Sequence, residues 1–174
     1  MKVFEPTTNL KVSLFLAADR FQPNDSRSVE DFELAVSVAA SIAYYLVEQG
    51  TPVGLVSNAC LAESDLTVRI PPGGSRDQLM DILEALAKVT LRAKGSLEII
   101  LQKESKSLRS GTTLVLIAPK APESLFWLLS DMKEKGHKLL LLLIGDRQKT
   151  GSDGVIPTFH IRHPGSLLEV SPGV

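Results

Sequence analysis

Between Gly136 and Gly145 the sequence reads HKLLLLLI, with five successive leucines at positions 139–143. The run is too short to cross a bilayer, which takes about 20 apolar residues in a helix. It is apolar at successive positions rather than at every second one, and so predicts a strand covered on both faces. Such strands belong to parallel sheets held between helices. Residues 10–18 (LKVSLFLAA) and 112–118 (TTLVLIA) have the same character.

The intervening stretches have the helical period. Residues 29–50 place Phe32, Ala35, Val36, Ala39, Ala43, Leu46 and Val47 at helical spacing, and their Ala and Ser residues allow close approach to a sheet. Ser28, three residues before Asp31, reads as a capping-box-like start of this helix, and Gly50 suits its end. Ser75 predicts the cap of a second helix running through Val89, with Leu79, Ile82, Leu83 and Leu86 inward. Ser96 predicts the cap of a third over residues 97–108, with Leu97, Ile100, Leu101 and Leu108 inward. A fourth ends at Lys135, with Pro122 in its first turn and Gly136 closing it.

Three further strands complete the pattern, at residues 51–59, 65–70 and 155–162. Leu66, Val68 and Ile70 alternate with polar residues, which predicts an edge strand antiparallel to its predecessor with one face wet. Pro157 removes a ladder donor and places the last strand at the other edge. The loop at 146–154 reads as mobile and the tail beyond the last strand as partly ordered. No repeat or linker divides the 174 residues. The expectation is a single α/β domain with a doubly wound, mostly parallel six-stranded sheet and helices on both faces. A strand order of 3-2-1-4-5-6 puts the switch point between the first and fourth strands, where open sheets of this class hold their ligands.

Charge and composition exclude several functions. A net charge of −1 carries no Lys/Arg excess, so no nucleic-acid footprint is present. A single cysteine, Cys60, rules out an intramolecular disulfide and a thiolate zinc cluster. Of the three histidines, His160 and His163 are spaced for a helix face but lie at the end of a strand, and read as surface residues. The first ten residues hold one lysine and no apolar signal segment, so the chain as given reads as soluble.

The catalytic signatures are missing from the places where they would act. No Gly-x-x-x-x-Gly-Lys-Ser/Thr occurs, and the turn after the first strand reads AADRFQ rather than a glycine-rich phosphate grip. The PPGG stretch reads as a rigid connector. No Gly-x-Ser-x-Gly elbow is present. Ser57 has no histidine base near it in sequence, and Glu63 and Asp65 near Cys60 do not activate a thiol. Asp19 and Asp146 each follow a strand's carboxyl end, and with Asp25 and Asp153 they read as loop carboxylates that cap backbone amides. A lone carboxylate makes a poor magnesium site. The expectations are therefore no catalytic residues, no metal ligands and no cofactor. The alternative is a hydrolase or nucleotide-binding enzyme on the same scaffold.

From Phe4 onward the sequence also resembles a known family. The stretches that carry this are FEPTTNLKV, AVSVAASIAYYLVEQGTPVGLVSNA, RIPPGGSRDQLMDILEALAKV, SGTTLVLIAP, GHKLLLLLIGD and VIPTFHIR, in this order and spacing. They are similar to the carboxyl-terminal portion of the domain of unknown function 58 family, which is related to the von Willebrand factor A domain. The resemblance implies the same six-stranded sheet. It implies that the chain is part of a longer protein anchored by membrane helices upstream, with this domain on the cytoplasmic side. It also implies a MoxR-type AAA+ ATPase as partner, in an assembly or chaperone-like role.

Many von Willebrand factor A domains bind Mg²⁺ through Asp-x-Ser-x-Ser after the first strand, with a later Thr and an Asp after the fourth strand. A hard cation wants several oxygen ligands. The corresponding positions here are Ala17, Asp19 and Phe21, and the fourth strand is followed by Ala118, Pro119 and Lys120. The resemblance thus implies a degenerate metal-ion-dependent adhesion site and a non-catalytic interaction domain. Its expected partner-binding rim comprises Asp19, Arg20, Asn58, Lys120 and Asp146.

Overall fold

The computed structural model describes residues 10–145 and 155–163. Its elements in chain order are β1 (Val12–Leu16), α1 (Ser26–Glu48), β2 (Val53–Leu61), β3 (Thr67–Gly73), α2 (Arg76–Lys88), β4 (Val89–Ala93), α3 (Leu97–Ser105), β5 (Thr113–Ala118), α4 (Glu123–Glu134), β6 (Lys138–Ile144) and β7 (Thr158–Ile161). The sheet is ordered β3-β2-β1-β5-β6-β7. β1 pairs in parallel with β2 and β5, β6 pairs in parallel with β5 and β7, and β3 runs antiparallel to β2. This is the expected order of the six expected strands.

Two apolar layers explain why the central strands are apolar throughout. Leu14, Leu16, Leu55, Val115 and Leu142 pack with Phe32, Ala35, Ala39 and Ala43 of α1 and with Leu79, Ile82 and Leu86 of α2. On the opposite face Phe15, Val56, Leu116, Leu141 and Leu143 pack with Leu97 and Leu101 of α3 and with Leu125, Leu129 and Met132 of α4. Successive strand side chains point to opposite faces, so each face supplies a reason for half of every run.

Several local expectations are corrected. The second helix stops at Lys88, and residues 89–93 form a seventh strand, β4. The β-branched Val89 and Thr90 leave the helix with Val89 already extended, at φ −66° and ψ 144°. Asp25, not Ser28, caps α1 by accepting from the Arg27 amide at 3.1 Å. Ser28 is buried inside the first turn, and its hydroxyl accepts from the Gln22 amide at 2.7 Å. The α3 helix ends at Ser105, short of Leu108. The edge strand β3 continues through Pro71, Pro72 and Gly73, tolerable because an edge has one unpaired side. Pro157 precedes β7, and its carbonyl accepts from the Leu141 amide at 2.9 Å. Ser75 and Ser96 cap α2 and α3 as expected, accepting from Gln78 and Ile99 at 3.0 and 3.4 Å. Among the described residues no helix is long and apolar enough to cross a membrane.

Candidate interaction rim at the carboxyl ends of β1, β2 and β5

The rim is shaped by unequal strand lengths. β2 has nine residues and β1 has five. Their parallel pairing ends at Leu16 and Ser57. β2 then continues, and Ala59 and Leu61 pair antiparallel with Ala93 and Val89 of β4. The connection from β4 into α3 therefore comes back over the carboxyl end of β1, at the switch point between β1 and β5.

Asn58 fastens this connection. Its side chain is fully buried; Oδ1 accepts from the Ala18 amide at 2.8 Å, and Nδ2 donates to the Gly95 carbonyl at 3.1 Å. Its backbone carbonyl also accepts from the Lys94 amide at 2.8 Å. Next to it the Ser57 hydroxyl donates to the Leu16 carbonyl at 2.7 Å and accepts from the Ala59 amide at 3.1 Å. Both polar side chains meet the backbone groups left over where β1 stops, as buried polar groups must.

Asp19 is exposed, and its Oδ2 accepts from the Leu97 amide at 3.4 Å, within the first turn of α3. Arg20 is half-buried and pairs through Nη2 with Glu98 of α3. Its Nε is buried and meets no acceptor among the described residues. Lys120 is exposed in the turn after β5. Asp19, Arg20 and Asn58 therefore converge on residues 94–98. Asn58 is corrected from a rim contact to a tie, because no surface of it reaches solvent. Asp146, like Asp153, lies outside the described residues.

The residues at positions 17 and 21 belong to the core. Ala17 is fully buried among the α3 and α4 contacts. Phe21 is buried in the layer of α1 and α2, with its ring edge-on to Phe32 at 5.3 Å and 72°. Among the described residues no group of three or more His, Cys, Asp or Glu side chains is placed to hold a metal ion.

Known proteins with this arrangement were found among solved structures. The SpRpn10 VWA domain superposes with a TM-score of 0.54 at 14% identity, covering 95% of this chain and 98% of that one. The fold is von Willebrand factor A-like. A von Willebrand factor type A protein from Catenulispora acidiphila matches at a TM-score of 0.58 and 13% identity, over 92% of this chain and 40% of that one. The pilus adhesin SpaC from Lactobacillus rhamnosus GG matches at 0.54 and 11% identity, over 85% of this chain. This chain spans only 26% of SpaC. No protein-family model matches the sequence, and no curated protein matches it.

The partners of the rim residues were not visible beforehand. Glu98 and Gly95 matter only because β4 pairs back onto the extension of β2 and so brings residues 94–98 to the end of β1, and nothing in the helical period of residues 76–88 announces that return. Ser57, weighed for nucleophilic chemistry, has its hydroxyl committed to the Leu16 carbonyl.

Proposed function

We propose that this chain is a non-catalytic protein-interaction domain of the von Willebrand factor A type, with a degenerate metal-ion-dependent adhesion site. The observation that carries the reading is the fate of positions 17, 19 and 21. Ala17 and Phe21 are built into opposite core layers, and Asp19 faces the start of α3. The partner surface is the rim around Asp19, Arg20 and Lys120, held in place by Asn58. Solved relatives of the fold include a pilus adhesin, which agrees with a role in binding other proteins.

The finer assignment draws on the sequence resemblance. The chain acts beside the cytoplasmic face of a membrane, as part of a longer anchored protein of the domain of unknown function 58 family. Its partner is a MoxR-type AAA+ ATPase. Two measurements test this. A melting temperature that rises with millimolar Mg²⁺ or Mn²⁺, and stops rising in Asp19→Ala, refutes the degenerate site. Capture of a co-expressed MoxR-type ATPase, compared between the wild type and an Asp19→Ala/Lys120→Ala variant, tests the rim. Equal recovery from both refutes the rim as the surface that binds this ATPase.

A further inference from the structure

Arg20 is an unusual residue to find at a crevice. Its side chain retains only 14% of its exposure, so the guanidinium is largely withdrawn from water. One carboxylate oxygen, Oε1 of Glu98, is its charge partner. The Nε–H beside it is buried and meets no acceptor among the described residues. A guanidinium presents a planar fork that matches both oxygens of a carboxylate. Glu98 fills half of that fork, and a buried donor left unpaired is costly.

The ties around the pair are graded. Asn58 holds Lys94 and Gly95 with bonds of 2.8 and 3.1 Å. The first turn of α3, which carries Glu98, is held by longer bonds. Leu97 to Asp19, Ile99 to Ser96 Oγ and Ile100 to the Ser96 carbonyl are each 3.4 Å. Glu98 keeps 22% of its side-chain exposure, and it follows Leu97, whose amide donates to exposed Asp19. Glu98 is thus partly open to solvent, whereas Asn58 is wholly buried.

We propose that Arg20 is a carboxylate-accepting site, and that Glu98 is its resident intramolecular occupant. The ligand is an Asp or Glu side chain of a protein partner, which takes both Nε and Nη2 while Glu98 turns to solvent. The site then recognises an acidic segment without a metal ion, and Glu98 sets its threshold. This rests on the reading of the rim as the partner surface, and names the chemistry of the partner there.

The test uses a fluorescein-labelled Gly-Glu-Gly-Glu-Gly peptide, its Gln counterpart, and free acetate. Glu98→Gln is expected to bind the Glu peptide about tenfold tighter than the wild type does, as loss of one competing charge-assisted bond allows. Arg20→Gln is expected to abolish the difference between the Glu and Gln peptides. The Arg20 Nε–H resonance of the wild-type protein is expected to shift on titration with the Glu peptide, a readout that needs no variant to fold. Acetate competing as well as the peptide would mean a site for small carboxylates and would overturn the protein-partner assignment. No Nε–H shift, or equal affinity of wild type and folded Glu98→Gln, would overturn the site itself. Failure here with rim-dependent ATPase capture intact sinks only the carboxylate inference. Peptide binding without rim-dependent capture sinks only the ATPase reading.

Discussion

Asn58 accepts the amide hydrogen of Ala18 at 2.8 Å from a position with no solvent exposure. This one bond joins β2, at the point where it runs on past β1, to the first loop, while the other arm of the Asn58 side-chain amide reaches Gly95. Asn58→Ala leaves the Ala18 amide buried and unpaired. The expected loss is about 2–3 kcal/mol, the penalty for an orphaned buried donor plus the lost bond. A urea titration at constant m-value checks it, and a change below 0.5 kcal/mol, about the effect of an ordinary surface substitution, would show that water replaces the tie.

Gly145 stands against Asp31, and a Cβ built on it would lie 2.5 Å from Asp31 Oδ2. Its φ is +96°, a region that residues with a Cβ avoid. Gly50, after α1, has a φ of +74° and nothing within 4 Å of a built Cβ. Gly50→Ala therefore carries only the backbone cost, about 1 kcal/mol. Gly145→Ala carries the clash as well, and is expected to cost at least about 2 kcal/mol. Thermal melts of the two variants side by side separate the contributions, and equal losses would remove the clash from the account.

Arg69 on β3 meets Glu104 on α3 at 2.6 Å, and the two ends of the pair differ sharply in exposure. The Glu104 side chain keeps 9% and the Arg69 side chain 58%. The hydrogen bond to Glu104, and then its charge, raise the Arg69 pKa above its ordinary value, so the guanidinium keeps its charge. Arg69→Leu strands a buried carboxylate and is expected to cost about 2 kcal/mol, below the range for fully buried pairs because water reaches one side. The double variant Arg69→Leu/Glu104→Leu is expected to recover most of the loss, since apolar replacements of buried pairs are near neutral. A double-mutant cycle in urea checks both, and additive losses would contradict the coupling.

The sheet was legible because buried parallel strands announce themselves as continuous apolar runs. The six strands from residue 12 to residue 161 take their order from that signal and from the edge marks at Leu66–Ile70 and Pro157. β4 was not legible. Its five residues follow α2 without a break, and its partners Ala59 and Leu61 lie about 30 residues upstream. The rim suffered for the same reason. Asn58 looks like any polar residue at a strand end until β2 is seen to run on past β1. Ser28 looked like a cap because the sequence cannot show its hydroxyl bound backward to Gln22. Asp19 was correctly placed beyond a strand end, but its acceptor role toward Leu97 depends on a contact across 78 positions.

The Glu84 carboxyl on α2 is held below its ordinary value, first by the hydrogen bond from Lys88 and then by its charge. A depressed folded value means that the pair contributes to stability above the unfolded carboxylate value of about 4.3. The contribution is lost as the pH falls through the lower folded value. Glu84→Gln should therefore be less stable than the wild type near neutral pH and equal to it in strong acid. Both side chains are exposed, so about 1 M salt should shrink the neutral-pH difference. Urea midpoints across pH and salt test this, and a difference that persists into acid would assign the effect to packing.

On the proposed reading of the rim as a degenerate metal-ion-dependent adhesion site, Phe21 stands at one of the positions that lack a ligand. Phe21→Ser would supply the hydroxyl that this reading finds missing at position 21. The ring, however, is 4% exposed and edge-on to Phe32, in the layer that joins the first loop to α1. Removing it leaves a cavity and an unpaired hydroxyl, so the expected loss is about 3–5 kcal/mol. Ala17 still offers no carboxylate, and Asp19 remains committed to the Leu97 amide. Phe21→Ser is therefore expected to melt well below the wild type in buffer, and to regain none of the difference in millimolar Mg²⁺. A magnesium-dependent recovery, measured as a rise in melting temperature absent from the wild type, would show that Phe21 alone closes the site.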